Sequence, residues 1–467
     1  MRSLVVVSAL AVLAGSGVAR ARSHGHHAAR VHHRPTRVGP SEAELKSALE
    51  ALRAGDPRLC TLAVDRLSNG IWERGRQRLD GEDAPPVLAR GPVKALGALA
   101  TFGDALADPR PCVRRAAAIW LGDSPIPDAL TRLSTGLRST SATVREAAAY
   151  GLGAHGEGAG RDALVDALRD PATPVVVAAT WALGRSQDPR NVTSLKGALQ
   201  HADARVRVAA ADALGEMEDA AAVEPLVARR QDPDASVRAA VASALGSLED
   251  RRAVPSLVAL ATDRAPEVRA ASLEALAALE DPKALEVARG ALTDQVPEVR
   301  HAAVRAVASL EDPGTLAALV SALSDSEPDI RAEAARALGR LEDPRAAPAL
   351  SRAAKDAVVD VRVTAVEALG DLEGLGAAPA ALLEASRDTV AEVRTAAAEA
   401  MRAFPRDGAA AGRLAALMQD SDRSVRRAAA ESLVHVESPE ARAALRAALA
   451  DGDPAVRRAA ARGLGRN

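Results

Sequence analysis

Histidine is the residue type in this chain best suited to acid-base or metal chemistry, and its spacing in the C-terminal four fifths argues against both. His155, His201, His301 and His435 fall at four different positions of an internal repeat, so their side chains point in different directions. No His-Glu dipeptide, HExxH zinc motif or GxxxxGK(S/T) phosphate loop occurs. The sequence therefore predicts no catalytic site and no cofactor.

One glycine-rich stretch satisfies a nucleotide-binding pattern. GLGAHG, at residues 151 to 156, matches GxGxxG. A dinucleotide site needs that turn between a strand and a helix, whereas the preceding segment here has the period of a helix. Its Leu152-Gly153 step also recurs in other repeats. We therefore assign the stretch to structure.

Five of the nine histidines lie together near the N-terminus, within residues 22–40: His24, His26, His27, His32 and His33. A short His-rich tract can bind transition metals through neutral imidazole. The same composition also suits a basic, flexible spacer. Both interpretations stay open, and loss of Ni or Cu binding on deletion of residues 22–40 would favour the first.

The chain has two cysteines, Cys60 and Cys112. In an exported protein they would form a disulfide, which would stabilise the fold by about 4 kcal/mol on the chain-entropy account. The alternative is two buried free thiols. Metal ligation is disfavoured because no third or fourth soft ligand has finger-like spacing.

Residues 1–21 have the composition of a signal peptide. Met1-Arg2 is followed by the apolar run LVVVSALAVLA at 4 to 14, which is too short to span a bilayer. GVA at 17 to 19 or ARA at 19 to 21 offers a cleavage site. We therefore expect export to the periplasm or the outside of a bacterial cell, with no membrane span after cleavage.

These sites depend on a repeat that fills residues 91–467 and positions every side chain in it. Valine or isoleucine followed by arginine, or once by valine, recurs twelve times, at intervals of 31 residues nine times and 32 twice. The anchors are Val113, Val144, Val175, Val206, Val237, Val268, Val299, Ile330, Val361, Val393, Val425 and Val456. Such a register indicates stacked structural units.

Each copy predicts two helices and no strand. Apolar residues at the anchor and at positions +4, +7, +8 and +11 after it form one face of a 3.6-residue helix. Asp or Ser three residues before the anchor, or Pro two before it, starts this helix. The "LEDP" that follows, as at residues 310 to 313, ends it and opens a second helix.

Each helical hairpin covers only part of its apolar surface by itself. It can bury the remaining apolar surface only by stacking on the next copy. The sequence therefore predicts an all-α fold, a right-handed α-solenoid of about twelve stacked hairpins with a contour of roughly 100–120 Å. Residues 41–90 are helical in pattern but outside the register. We expect them to form an N-terminal cap that opens with the capping box SEAE at 41 to 44.

The repeat resembles HEAT repeats, in particular the short HEAT-like variety named after phycobilisome bilin lyases. It carries an Asp five residues before the anchor and an Arg one residue after it. The resemblance implies a hydrogen-bonded ladder along the stack from these residues. Its most regular members are Asp232, Arg238, Asp263, Arg269, Asp294, Arg300, Asp325, Arg331, Asp356 and Arg362. The resemblance is specific for the fold and says little about the function.

Nucleic acid is a poor partner for this solenoid. The chain's net charge of −2 divides into +6 for residues 1–40 and −8 for the rest. Position +6 of the anchor helix, which we expect to face outward, carries both signs along the stack, from Asp212 to Arg305 and Glu367. Without a basic stripe, the phosphate contacts that dominate such affinity are missing.

Aromatic residues mark the early repeats. Trp120, Tyr150 and Trp181 lie at or beside position +6 of three successive repeats, and the Asp/Arg pattern breaks nearby at Ser139, Val176 and His201. Exposed aromatics on a concave wall are good anchors for a partner. The alternative is that they only fill imperfect packing.

These features predict an exported, non-catalytic scaffold that binds one or more protein partners. A ligand-handling enzyme or chaperone of the bilin-lyase type, using the same three aromatics, and metal binding through the His tract are the alternatives.

Overall fold

The computed structural model describes residues 42–54, 96–156, 158, 160–310 and 313–466. Every regular element in these ranges is helical, with 25 α-helices and no strand, as predicted for an all-α solenoid. None of these helices combines the length and apolar character needed to cross a membrane. The predicted signal peptide, the His tract and most of the predicted cap lie outside the described residues.

One helix, α1 (Glu42–Arg53), precedes the repeats, and each repeat then pairs a short helix with a following long one. The short helices are α2 (Leu96–Ala105), α4 (Pro127–Gly136), α6 (Arg161–Ala167), α8 (Val192–Ala198), α10 (Val223–Val227), α12 (Val254–Leu260), α14 (Ala284–Ala291), α16 (Leu316–Ala322), α18 (Ala347–Ala353), α20 (Ala380–Ala385), α22 (Gly408–Leu417) and α24 (Pro439–Ala448). The long helices are α3 (Pro111–Gly122), α5 (Ala142–His155), α7 (Thr173–Arg185), α9 (Ala204–Glu216), α11 (Ala235–Ser247), α13 (Pro266–Leu279), α15 (Pro297–Ala308), α17 (Pro328–Arg340), α19 (Val359–Asp371), α21 (Ala391–Ala400), α23 (Arg423–Leu433) and α25 (Pro454–Arg466).

The long helices begin where the sequence places their caps. The Asp234 carboxylate accepts a hydrogen bond from the backbone N–H of Ser236 at the start of α11. Pro266 occupies the first turn of α13, where a missing N–H costs nothing. The anchor residues Val237 and Val268 are fully buried. Capping and burial of the same face therefore fix the register of each long helix.

Left-handed residues end several of the long helices. Gln187, Glu218, Glu249, Glu280 and Glu342 have φ between 47° and 53°, and all five lie twelve residues after their anchor. The aspartate that follows then starts the next segment, as when Asp250 accepts from the N–H of Arg252 to open a short 3-10 helix (Arg251–Ala253) before α12. The recurring "LED" is therefore a reversal of the chain between the two helices.

Successive long helices approach closely because small residues meet between them. A methyl group placed on Gly215 of α9 would lie 2.8 Å from the Cα of Ala244 of α11, and Gly184 faces Ala213 in the same way. Consecutive long helices pack along their lengths, whereas consecutive short helices touch far less. Since the more closely spaced layer of a curved stack lies inside, the long helices line the concave face.

Candidate functional site

The ladder residues lie at the start of the long helices and link one repeat to the next. The Arg207 guanidinium donates to both carboxylate oxygens of Asp232, from Nε at 2.8 Å and from Nη2 at 2.7 Å. Its Nη1 donates to the main-chain oxygens of His201 and Ala202, both at 2.9 Å. Each arginine therefore fixes the loop of its own repeat and the carboxylate of the following one.

The same bidentate ion pair joins most neighbouring repeats. The pairs are Arg145–Asp170, Arg207–Asp232, Arg238–Asp263, Arg269–Asp294, Arg300–Asp325, Arg331–Asp356, Arg362–Asp388, Arg394–Asp420 and Arg426–Asp451. The hydrogen bonds from Arg238 hold the pKa of Asp263 below its ordinary value. These residues are committed to holding the stack together, so they are not free to do chemistry.

The first rung of the ladder comes from outside the repeats. Arg53, the last residue of α1, donates from Nε to Asp108 at 3.0 Å. Asp108 precedes the first long helix and has no earlier repeat to supply an arginine. Sequence reasoning missed this pair because Arg53 lies outside the register of the repeats.

Two rungs are altered near the aromatic residues. Val176 replaces the arginine and is buried, and His201 replaces the aspartate that this arginine would hold. His201 instead accepts a hydrogen bond at Nδ1 from the N–H of Asp203, at 3.0 Å. Both members of the pair are neutral replacements, so the rung leaves no unpaired charge. At the other altered rung, Arg114 keeps its bonds to the main-chain oxygens of Asp108 and Pro109.

Trp120 does not lie on the surface, so the expectation that it is an exposed aromatic anchor for a partner is wrong. Its side chain is only 6% exposed and packs against Phe102 of α2, with the ring centroids 5.0 Å apart. Trp120 is at position +7, which alanine occupies in most repeats and which faces the preceding long helix. Since no long helix precedes α3 among the residues that the structure describes, the indole fills that space with Phe102.

Tyr150 and Trp181 form a pair on the concave face. They lie at position +6 of α5 and α7, are half-buried, and have ring centroids 5.4 Å apart at an angle of 55°. Gly153 makes room for the pair, since a methyl group there would lie 2.6 Å from the Trp181 ring. Burial raises the pKa of Tyr150, so its hydroxyl stays protonated.

A guanidinium lies over each ring. The Cζ of Arg115 is 4.7 Å from the Tyr150 centroid, and that of Arg185 is 5.8 Å from the Trp181 centroid. We call Arg115, Tyr150, Trp181 and Arg185 the aromatic patch. It spans the three long helices α3, α5 and α7. Cation–π contacts of this kind hold the rings and the arginine side chains in place.

The remaining candidate residues stay apart. His155 is hydrogen-bonded through Nδ1 to the main-chain oxygen of Gly122 at 2.8 Å. Burial raises the pKa of the adjacent Asp123 to about 6, against the opposing charge of His155. Among the residues that the structure describes, no three His, Cys, Asp or Glu side chains group in a way that could hold a metal ion. The N-terminal histidines His24, His26, His27, His32 and His33 lie outside those residues.

Only one of the two cysteines, Cys112, lies among the described residues. Cys112, at the start of α3, is disulfide-bonded. Cys60 lies outside the described residues, so its pairing with Cys112 stays a prediction.

Beyond the aromatic patch, the concave face carries carboxylates as well as arginines. Desolvation by the neighbouring helices, with a contribution from Glu216, raises the pKa of Asp212 on α9 to about 7 although its side chain is exposed. Farther along, an open groove of about 380 Å³ beside α19, α21 and α23 is lined by four carboxylates. They are Glu367, Glu392, Glu399 and Asp422. These carboxylates repel phosphate at this groove.

Comparison with known families matches almost the whole repeat region. The family model described as HEAT repeats matches residues 99–181, 162–234, 223–308, 288–362, 316–402 and 410–467. A comparison with curated proteins finds no match.

Solved structures of similar architecture include two kinds of protein. The complex of CpcE and CpcF of phycocyanin lyase from Nostoc sp. PCC7120 is 28% identical over 45% of this chain and 87% of that chain, with a TM-score of 0.32. Kap95p, from a structure in which it binds RanGDP, is 15% identical over 91% of this chain and 66% of its own, with a TM-score of 0.53. Kap121p bound to Pho4p is 14% identical with a TM-score of 0.49, and the match covers 91% of this chain and 53% of Kap121p. The likeness to Kap95p shows the fold alone.

Proposed function

The chain belongs to the HEAT-repeat family, and on that premise we propose that it is an exported scaffold that binds a protein partner and catalyses no reaction. A solenoid offers a long curved surface and neighbour-only contacts, which suit binding of an extended partner. The family leaves the function open, so the proposal depends on the surface itself.

The observation that carries the proposal is the aromatic patch. The described long helices expose few large apolar side chains elsewhere, because most of their valine and leucine side chains are buried in the stack. Tyr150 and Trp181 are half-buried and already held in place, so a partner that covers them loses little side-chain entropy on binding. Large aromatic side chains of this kind dominate the energetics of protein interfaces.

Two further features support the finer parts of the proposal. Export is supported by the sequence of residues 1–21, with its apolar run and its small residues at the cleavage site. Lack of catalysis is supported by the separation of the histidines and by the ladder, which pairs its aspartates with arginines. The bilin-lyase-type alternative required three aromatics on one wall, and the burial of Trp120 removes one of them.

The test is an affinity pull-down from envelope extract, using the tagged full-length protein after export. A Tyr150→Ala/Trp181→Ala variant is expected to lose a protein that the wild type recovers. An Arg305→Ala/Arg336→Ala variant is the matched control, because it changes position +6 on α15 and α17. Equal recovery by all three proteins would contradict a site at the aromatic patch, and absence of any specific partner would contradict the scaffold.

A further inference from the structure

We propose that the aromatic patch selects an acidic segment of the partner that also carries an apolar side chain, with Arg115 and Arg185 each binding a carboxylate. This inference rests on the proposed function, since it describes the partner of the same site. It follows from the position of each guanidinium over a ring and from the absence, among the described residues, of a carboxylate within ion-pair distance of either.

The guanidiniums already occupy positions over the rings. A ligand cation approaching the patch would have to displace Arg115 from Tyr150 or Arg185 from Trp181. A stacked guanidinium, in contrast, keeps its N–H edge free, and that edge matches a carboxylate with two parallel hydrogen bonds. The arrangement therefore favours an anionic side chain over a cationic one.

Arg115 and Arg185 differ from other arginines of the concave face. In the part of the chain that the structure describes, neither has a carboxylate within ion-pair distance, whereas Arg305 pairs with Glu274 at 3.7 Å and Arg336 pairs with Glu333. Arg185 is exposed and Arg115 half-buried. Arg185 is attracted at longer range to Glu216 of α9, where its charge opposes the rise in the Glu216 pKa that desolvation causes. Since no described carboxylate forms a close ion pair with either guanidinium, both can still pair with a carboxylate of the partner.

Apolar side chains lie beside the Trp181 ring. Val177 is one turn before Trp181 on α7 and shares its face, and Val208 occupies the equivalent place on α9. Both are only partly buried. An aliphatic or aromatic side chain of the partner can therefore contact the rings and these valines together.

The size of the patch limits the spacing of the partner's acids. The contacts of 4.7, 5.4 and 5.8 Å that connect Arg115 to Arg185 through the Tyr150 and Trp181 rings place the two Cζ atoms at most about 16 Å apart. An extended segment covers that distance in about five residues or fewer. Beyond Trp181, Asp212 and Glu216 would repel further acidic residues. Glu146, four residues before Tyr150 on α5, is the acidic group within the patch's own span.

The experiment uses three labelled synthetic peptides of equal length, in which the same leucine and phenylalanine positions are separated by glutamate, glutamine or lysine. Binding to the full-length protein is measured by fluorescence anisotropy at low ionic strength, where such contacts are strongest. The glutamate peptide is expected to bind at least about tenfold tighter than the glutamine peptide, and the lysine peptide weakest.

Two substitutions then separate charge from ring contacts. Arg115→Gln/Arg185→Gln is expected to remove the preference for glutamate, whereas Arg402→Gln/Arg458→Gln, which removes equal charge from exposed sites far along the stack, keeps it. Glu146→Gln is expected to tighten binding of the glutamate peptide. A preference for lysine or glutamine, no binding of any peptide, or an unchanged glutamate preference in Arg115→Gln/Arg185→Gln would overturn the inference. If the pull-down still depends on Tyr150 and Trp181 in that case, the scaffold proposal stands alone.

Discussion

At the scale of single residues, the ladder arginines determine how firmly one repeat is attached to the next. Arg238 and Asp263 have side chains only 6% and 14% exposed, and Asp263 also accepts from the N–H of Ala265 at 2.9 Å. Removing one partner leaves a nearly buried charge without its counterion, which costs far more than losing an exposed pair. The ladder is therefore the polar counterpart of the alanine-rich core.

We expect Arg238→Gln to lower the local stability of the α11–α13 junction by about 2–4 kcal/mol. Arg205→Gln, which breaks a pair in which the arginine is 68% exposed, should cost no more than about 0.5 kcal/mol. Amide hydrogen exchange at Ala265 measures the difference. Equal protection in the two variants would show that the ladder does not hold the repeats together.

Protonation provides a second test of the ladder. Arg238 lowers the pKa of Asp263 through its hydrogen bonds, so the folded state binds this proton more weakly than the unfolded chain does. The stabilisation is therefore complete above the unfolded pKa of about 4 and is lost as pH falls through the lower folded value.

The pKa of Asp123 is shifted in the opposite direction to that of Asp263. Burial raises its pKa to about 6, so the folded state disfavours its charged form, and stability falls as pH rises from about 4 to about 6. Asp123→Asn should therefore stabilise the protein at pH 8 by on the order of 1–2 kcal/mol and have little effect at pH 4. Thermal melting at the two pH values gives the comparison. A gain at pH 4 as large as that at pH 8 would exclude titration of Asp123 as the cause.

At the scale of helices, glycine at the C-terminal end of a long helix sets the spacing of the stack. Gly215 faces the backbone of Ala244, and a methyl group on Gly215 would lie only 2.8 Å from the Ala244 Cα. A methyl group therefore requires the two helices to separate. Gly290 on α14 has no atom within 4 Å of such a methyl group. The two glycines thus differ in packing although both are helical.

Gly215→Ala is expected to destabilise the protein by about 1–3 kcal/mol through overpacking. Gly290→Ala should instead stabilise it by about 0.5–1 kcal/mol, because alanine loses less entropy in a helix. Urea unfolding of both variants provides the measurement. The account of close helix approach would be wrong if both substitutions stabilised the protein.

At the scale of the whole molecule, most of the architecture could be predicted from the repeat period. The twelve anchors predicted twelve long helices, and the caps and "LED" reversals placed their ends, because each local signal recurs with the same physical role in every copy. What the period did not contain lies at its N-terminal boundary. Arg53 completes the ladder from outside the register, and Trp120 fills a space that only the first repeat has.

The candidate site could be predicted only in part for the same reason. Tyr150 and Trp181 share position +6, so the repeat places them on one face. Trp120 is one residue farther along, and a single residue turns a helical side chain by about 100°, which here carries it into the core. Arg115 gave no signal, because its contact with the Tyr150 ring depends on the distance between neighbouring helices. Arg185 lies four residues after Trp181 on the same helix, so helical spacing alone would have placed it beside that ring.

Site-specific photocrosslinking in the exporting cell can show whether a protein partner binds the concave face at α5 and α7. A photoreactive amino acid is placed at Val177, beside Trp181, and in a second protein at Val363, the equivalent position on α19. If the partner binds at the aromatic patch, we expect a specific crosslinked adduct from position 177 and none from position 363. Adducts from position 363 alone, or none from either position, would contradict it.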